Sequence, residues 1–145
     1  MKRSKKNITI NHNADNLFDI VIDIEKYPEF IPWCTGMHVH SKNKKEILAD
    51  MHVFYKFFIP QKFGSHVFFN KKKLNIKTIY TDGPLKDLKT DWQFKSINKK
   101  KTIVVFTVEF EFKKFLHQKL AETFFPLIEN KMINSFIKRA NDILN

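Results

Sequence analysis

The residues that could carry out chemistry are few, and their spacing does not match the requirements of catalysis. Cys34 is the only cysteine, and a thiol acts as a nucleophile only when a base is held against it. The sequence places no histidine beside it. His38 and His40 share one face of a strand-like segment, but no cysteine or carboxylate with ligand spacing lies nearby to complete a metal site. These residues predict neither nucleophilic catalysis nor a metal centre.

The sequence does not support acid–base catalysis or phosphate binding either. Glu109 and Glu111 would have to be buried to act as an acid–base pair, and the alternation of their segment puts both in water. The sequence contains no glycine-rich phosphate loop and no nucleophile elbow. A cyclase or hydrolase would have only Tyr55, Tyr80 and Thr90 as polar groups facing a ligand. We therefore expect a protein that is not an enzyme and needs no catalytic cofactor.

Length and composition predict one domain over residues 1–145. The chain is 43% hydrophobic with 3 glycines and 5 prolines, which excludes a disordered or collagen-like chain. A single cysteine excludes an internal disulfide and fits a reducing compartment. The basic segment Met1–Lys6 is not followed by an apolar signal region. We expect a cytoplasmic protein that is not secreted, with peripheral contact to the inner membrane left open.

The formal net charge of +11 has two interpretations. One is a polyanionic partner, either RNA or the anionic face of a bilayer. The other is the codon bias of a genome rich in A and T, because all the basic residues except Arg3 and Arg139 are lysines. Lysine lacks the bidentate fork used in base recognition, so we do not expect DNA binding. The sequence does not define an oligomeric state.

Hydrophobic patterning shows the elements that would position any site. Ile8 and Ile10 alternate with polar neighbours and predict a short first strand. Asn13 is a suitable N-cap for a helix. Pro28 is expected to break that helix and to open a one-turn second helix, which Pro32 ends.

The rest of the chain predicts a sheet followed by one long helix. About six segments between Met37 and Phe112 alternate with period two, which is typical of an antiparallel sheet with one apolar face. From Leu116 to Ile143 apolar residues recur at steps of three or four, which predicts a helix of about 45 Å. Pro126 inside it predicts a kink. The apolar face must be covered, and a curved sheet wrapped around this helix would leave a space for a ligand.

Three sequence pieces carry a resemblance to a known family. They are Tyr27–Cys34 with its Pro-Trp-Cys ending, Asp82–Leu85 followed by Trp92–Phe94, and Val108–Lys113 running into a helix with Arg139 near its end. With these pieces, in this order, the chain resembles the coenzyme Q-binding protein family, which is similar to the bacterial ribosome association toxin RatA. Both belong to the START-like, polyketide cyclase-like superfamily (SRPBCC).

The resemblance implies an α+β fold of the helix-grip (START-like) type. It also implies non-catalytic binding of ubiquinone or a related polyprenyl lipid, in support of respiration or of quinone biosynthesis. The alternative is a ribosome-associated, toxin-like factor that binds the large subunit and inhibits translation. The partner would be a hydrophobic small molecule in the first case and the ribosome in the second.

Apolar residues on the inner face of the sheet and on the final helix define the candidate cavity, although phenylalanines would also fill an ordinary core. The residues expected to line it are Phe30, Trp33, Met51, Val53, Tyr55, Val67, Tyr80, Trp92, Phe94, Phe106, Val108, Phe110, Phe124 and Ile128. The residues expected at its entrance are Pro32, Cys34, Asp82, Gly83 and Pro84.

Overall fold

The computed structural model describes the backbone of residues 1–55 and 58–144 and the side chains of residues 1–54 and 60–144. In chain order the elements are β1 (Lys2–Ile10), α1 (Ala14–Ile22), a 3₁₀ helix (Ile24–Glu29), β2 (Cys34–Lys42), β3 (Glu46–Tyr55), β4 (Phe58–Asn70), β5 (Asn75–Asp82), β6 (Leu85–Asn98), β7 (Lys101–Phe112) and α2 (Phe115–Leu144).

The strands form one seven-stranded sheet in the order β1-β7-β6-β5-β4-β3-β2. All six neighbouring pairs are antiparallel. Strands β2 to β6 each pair with the next strand in the sequence, whereas β1 pairs with β7 from the other end of the chain. This architecture confirms the α+β prediction and places β1 and β2 at the two edges.

Strand β1 is longer than the sequence pattern predicts. It begins at Lys2, and its polar first half pairs with β7 as regularly as Ile8 and Ile10 do. Backbone hydrogen bonds hold an edge strand whether its side chains are polar or apolar. Ser4 pairs with Val108 and therefore projects to the inner face of the sheet.

The first helix begins as predicted, but it ends for a different reason. The side chain of Asn13 accepts hydrogen bonds from the backbone N–H groups of Asp15 and Asn16, at 2.9 and 3.3 Å. The helix is already over at Ile22, and Pro28 lies inside the following 3₁₀ helix. The prediction that Pro28 breaks the first helix and opens the second is wrong, because the fixed φ of proline fits within a 3₁₀ turn.

The packed core lies between the inner face of the sheet, α1 and the C-terminal half of α2. Phe18, Ile47 and Val104 are at most 2% exposed. The ring of Trp92 lies 4.6 Å from that of Phe106 and 5.2 Å from that of Phe136. One end of the sheet is therefore closed by tight aromatic packing.

The two halves of α2 are packed differently, although the helix has the 30 residues expected and continues through Pro126. In the C-terminal half, Phe136 and Ala140 are 6% and 0% exposed. In the N-terminal half, Phe115 and Leu116 are more than 70% exposed. The C-terminal half of α2 is therefore the more deeply buried half. None of the described helices contains a stretch apolar and long enough to cross a membrane.

We expect the turn between β5 and β6 to require a glycine at position 83. Gly83 has φ +140°, and a Cβ there would lie 2.6 Å from the carbonyl oxygen of Lys62. Gly83→Ala should lower the free energy of unfolding by about 1–3 kcal/mol, measured by urea denaturation. Gly36→Ala is the control, because the nearest atom to its added Cβ is 3.7 Å away. Equal losses in the two variants would contradict this account.

Candidate functional site

A cavity of about 310 Å³ lies between the N-terminal half of α2 and the inner face of the sheet. This volume is within the range of small-molecule sites, roughly 300–1,000 Å³. The sheet and the loops contribute Trp33, Met51, Val53, Gln61, Phe63, Pro84, Leu85, Leu88, Thr90, Phe106, Val108, Phe110 and Phe112. The helix contributes His117, Leu120, Ala121, Phe124, Phe125, Ile128, Glu129 and Met132.

The cavity exists because the helix and the sheet diverge. Phe136 fills the space against Trp92 at the packed end. In the N-terminal half of α2, Phe125 packs against Phe110 with ring centroids 5.0 Å apart, but the start of the helix is open to solvent, where Leu120 is 44% exposed. The wall is almost wholly apolar. Apart from the indole of Trp33, the polar lining side chains are Gln61, Thr90, His117 and Glu129. Such a space suits an apolar guest with few hydrogen-bonding groups.

The structure brings most of the predicted residues together around this cavity. Of the residues expected to line it, those that do are Trp33, Met51, Val53, Phe106, Val108, Phe110, Phe124 and Ile128. Pro84, expected at the entrance, also borders it. Binding of a ligand by these residues stays a prediction.

Trp92, Phe94 and Val67 lie in the packed core and not along the cavity, which corrects their predicted place. Phe94 packs edge-on against Phe18 of α1, with ring centroids 5.9 Å apart. Val67 is 4% exposed. All three project from the inner face as predicted, but they lie at the end of the sheet where α1 and the C-terminal half of α2 fill the space.

Phe30 and Tyr80 also lie outside the lining. Phe30 packs on Phe136, with ring centroids 5.2 Å apart, beneath the guanidinium of Arg139, and it borders a separate surface hollow of about 270 Å³. The hydroxyl of Tyr80 accepts a hydrogen bond from the backbone N–H of Leu85 at 3.0 Å. It therefore braces the β5–β6 turn. The side chain of Tyr55 lies outside the described residues.

The residues predicted at the entrance differ in their relation to the cavity. Asp82 is the last residue of β5 and Gly83 lies in the β5–β6 turn beside Pro84, but neither is among the cavity-lining residues. Pro32 is exposed and precedes Trp33, which does line the cavity. Cys34 is buried, and its Sγ–H donates to the carbonyl oxygen of Gly36 at 3.6 Å. An entrance formed by these residues stays a prediction.

We expect Cys34 to react slowly with thiol reagents in the folded protein. It is 4% exposed, and burial raises the pKa of its thiol above the ordinary value, so the nucleophilic thiolate is scarce at neutral pH. Ellman's reagent at pH 8 should react far faster after unfolding in urea. An exposed cysteine introduced by Ser41→Cys in the Cys34→Ser background gives the reference rate. A native rate for Cys34 near that reference would contradict the burial.

The outer face of the sheet carries its own polar cluster. Nε2 of His40 lies 2.7 Å from Oδ2 of Asp50, and this hydrogen bond lowers the pKa of the Asp50 carboxyl. The ring of His38 lies 4.6 Å from that of His40. Within the part of the chain that the structure describes, no group of three or more potential ligands could hold a metal ion.

Among the lining residues that were not predicted from the sequence, Glu129 is the buried carboxylate. It occupies a helix stripe with Phe125, Met132 and Phe136, at spacings of four, three and four residues. This stripe faces the cavity or the core. The available signal was a lone acidic residue in an otherwise apolar stripe.

Comparison with known proteins relates the chain to curated bacterial and mitochondrial proteins. It is 33% identical to the ribosome association toxin RatA of Rickettsia prowazekii over 137 residues, which cover 92% of each chain. It is 30% identical to the mitochondrial coenzyme Q-binding protein of Drosophila melanogaster over 133 residues. That match covers 89% of this chain and 54% of the relative.

Solved structures share the fold. The Zhui aromatase/cyclase from Streptomyces sp. R1128 superposes with a TM-score of 0.90 at 12% identity, covering 99% of this chain and 96% of that one. A START superfamily protein from Mycobacterium smegmatis gives 0.85 at 14% identity, covering 97% and 98%. These likenesses confirm the helix-grip prediction.

An 18 kDa protein from Caulobacter crescentus superposes with a TM-score of 0.78 at 29% identity, covering 99% of this chain and 98% of that one. The family described as polyketide cyclase / dehydrase and lipid transport matches residues 10–137, which is nearly the whole chain and includes every residue found to line the cavity. The chain therefore belongs to the polyketide cyclase / dehydrase and lipid transport family.

Proposed function

We propose that residues 1–145 act as one unit that binds a hydrophobic molecule in the cavity without transforming it. The observation that carries the proposal is the apolar space left where α2 diverges from the sheet. Phe106, Phe110 and Phe124 offer aromatic surface to a guest, and burial of apolar area stabilises a complex by about 25 cal/mol per Å². Of Tyr80 and Thr90, the two residues considered for catalysis whose side chains the structure describes, only Thr90 lines the space.

Ubiquinone or another polyprenyl lipid is the candidate guest. The mitochondrial coenzyme Q-binding relatives support it, although the chain spans only about half of their length. The test is mass spectrometry of lipid extracted from protein purified from its native host, together with the thermal shift produced by decylubiquinone. Protein that carries no lipid and shows no thermal shift would overturn the binding proposal.

Ribosome association is the second candidate role, and the relatives favour it over quinone chaperoning. The match to RatA of Rickettsia prowazekii covers 92% of both chains, whereas the coenzyme Q-binding relatives are matched over 54% and 56% of their length. This order is the reverse of the one expected from the sequence alone. The net charge of +11 would strengthen an encounter with RNA phosphates.

Sucrose gradients at two salt concentrations test ribosome association. Phosphate-driven binding is strongest at low salt, so the protein should sediment with the large subunit at 50 mM salt and be released at several hundred millimolar. Absence from the large subunit at low salt would exclude the role. Ligand binding would be unaffected by that result, because the cavity test is independent of ribosomes.

The exposed start of α2 supports peripheral contact with a membrane. Phe115 and Leu116 are 71% and 73% exposed, and Lys113, Lys114 and Lys119 lie beside them. Exposed apolar side chains flanked by lysines are suited to an anionic bilayer surface, because the apolar groups can enter the interface while the lysines contact the headgroups. Phe115→Ser with Leu116→Ser should reduce co-flotation with phosphatidylglycerol vesicles several-fold. Ile143→Ser, at an exposed position near the other end of the helix, is the control, and equal loss in that variant would contradict the assignment.

A further inference from the structure

The cavity wall contains one buried carboxylate. Glu129 is 4% exposed, although acidic side chains are almost never fully buried unless paired. Its Oε1 accepts a hydrogen bond from the hydroxyl of Ser4 at 3.3 Å and lies 3.9 Å from Nζ of Lys6. Both partners project inward from the edge strand β1. The carboxylate is therefore held in a defined place by two groups on one of its oxygens.

The other carboxylate oxygen of Glu129 is free to accept a hydrogen bond from a guest. Oε2 of Glu129 is buried without a hydrogen-bond partner among the residues that the structure describes. A buried acceptor left unsatisfied is costly, and native proteins rarely retain one without a structural or functional reason. Ser4 and Lys6 both contact Oε1, so neither of them satisfies the hydrogen-bonding capacity of Oε2.

The position of Glu129 along α2 fits the inner end of the cavity. It lies nine residues beyond Leu120, about 14 Å along the helix axis, and Leu120 is 44% exposed. The helix passes from solvent-exposed to buried over this distance, and Glu129 is the deepest polar group on it that lines the cavity. A guest that enters from the exposed end would meet the carboxylate last.

We propose that Glu129 anchors a hydroxyl group carried by the apolar guest, with Oε2 accepting the hydrogen bond. A carboxylate can only accept, so it recognises a guest that donates. A ubiquinone offers only acceptors, its carbonyl and methoxy oxygens, whereas the corresponding quinol also offers hydroxyl donors. The inference rests on the proposed binding function and sharpens it: the preferred guest is a hydroxylated apolar molecule, such as a quinol or an isoprenoid alcohol, and not an oxidised quinone.

Matched pairs of probes test this preference. Under anaerobic conditions, Kd values are measured for decylubiquinol and decylubiquinone, and then for farnesol and its methyl ether. The wild-type protein should bind the hydroxyl-bearing member about tenfold more tightly, as expected for one hydrogen bond to a charged group. A preference within the quinol pair alone assigns the site to aromatic hydroxyls. A preference within both pairs assigns it to hydroxyls in general.

Two variants separate recognition from structural support. Glu129→Leu should bring the Kd ratio of each preferred pair close to one while keeping the affinity for decylubiquinone. Glu122→Leu is the control, because Glu122 lies on the same helix outside the lining and accepts its hydrogen bond from Gln118 at 2.8 Å. It should leave the ratio unchanged.

Three results would count against the proposal. Equal affinity of the wild-type protein for the two members of both pairs would overturn the inference and leave the binding function standing. An unchanged Kd ratio in Glu129→Leu would also overturn the inference and leave the binding function standing. An equal loss of affinity for both members of a pair would have the same meaning, because a purely structural role of Glu129 predicts that loss. If no probe binds the wild-type protein, the binding function itself fails.

Discussion

Replacing Ala121 with tryptophan is expected to raise the Kd for an apolar guest about a hundredfold while leaving the protein folded. Ala121 lies on α2 and lines the cavity, so the indole would occupy space that the guest needs. Losing about 120 Å² of buried apolar contact corresponds to about 3 kcal/mol, and 1.4 kcal/mol is a factor of ten in Kd. Titration with diphenylhexatriene, which fluoresces in apolar surroundings, measures the change.

The fold should tolerate this substitution because the space already exists. Overpacking usually costs about 1–3 kcal/mol when it displaces packed neighbours, and here the added ring enters a cavity of about 310 Å³. Thr123→Trp is the control, because Thr123 is exposed on the same helix and is not among the lining residues. Full dye binding by Ala121→Trp, with Thr123→Trp also unaffected, would mean that the guest does not occupy this cavity.

Replacing Phe136 with alanine is expected to cause a large loss of stability. The ring of Phe136 packs edge-on against Tyr27, Phe30 and Trp92, with centroids 5.2–5.4 Å apart, and the residue is 6% exposed. A buried Phe→Ala change costs about 3–5 kcal/mol. For a chain of this length that corresponds to a fall in Tm of about 10 °C or more, measured by thermal denaturation followed by circular dichroism.

Phe124→Ala is the matched comparison on the same helix. Phe124 is half-buried and borders the cavity, so its removal enlarges an existing space and should cost about 1 kcal/mol. Its main effect should be on ligand affinity. Similar losses of stability in the two variants would show that both halves of α2 are packed alike, which would contradict the proposed site.

The fold could be predicted from local pattern because each element carries its own period. The alternation of Val104, Phe106, Val108 and Phe110 fixes which side of β7 is buried, and all four are at most 5% exposed. The length of α2 followed from its repeat. The first half of β1 was missed because a strand held by backbone pairing at a sheet edge does not need an apolar pattern.

The site was harder to predict than the fold, because a side chain on the inner face of the sheet can lie either in the packed core or along the cavity. Trp92 and Val108 both project from the inner face, yet Trp92 meets Phe136 and Val108 meets the cavity. The difference depends on where α2 diverges from the sheet, which is a property of tertiary packing. Glu129 was missed for a related reason. Hydrophobic periodicity identifies the apolar positions on the buried face of a helix, but it does not identify a polar residue among them as buried.

The pairing of β1 with β7 has a consequence for the order of folding. Strands β2 to β7 can assemble as successive hairpins, which need only short loops to close, whereas the hydrogen bond from the Thr102 hydroxyl to the carbonyl of His12 joins residues 90 positions apart. Long-range closure carries the larger entropic cost, so β1 is expected to dock late. Ser4 and Lys6 arrive with it, which means that the polar end of the cavity is completed only as the chain finishes folding.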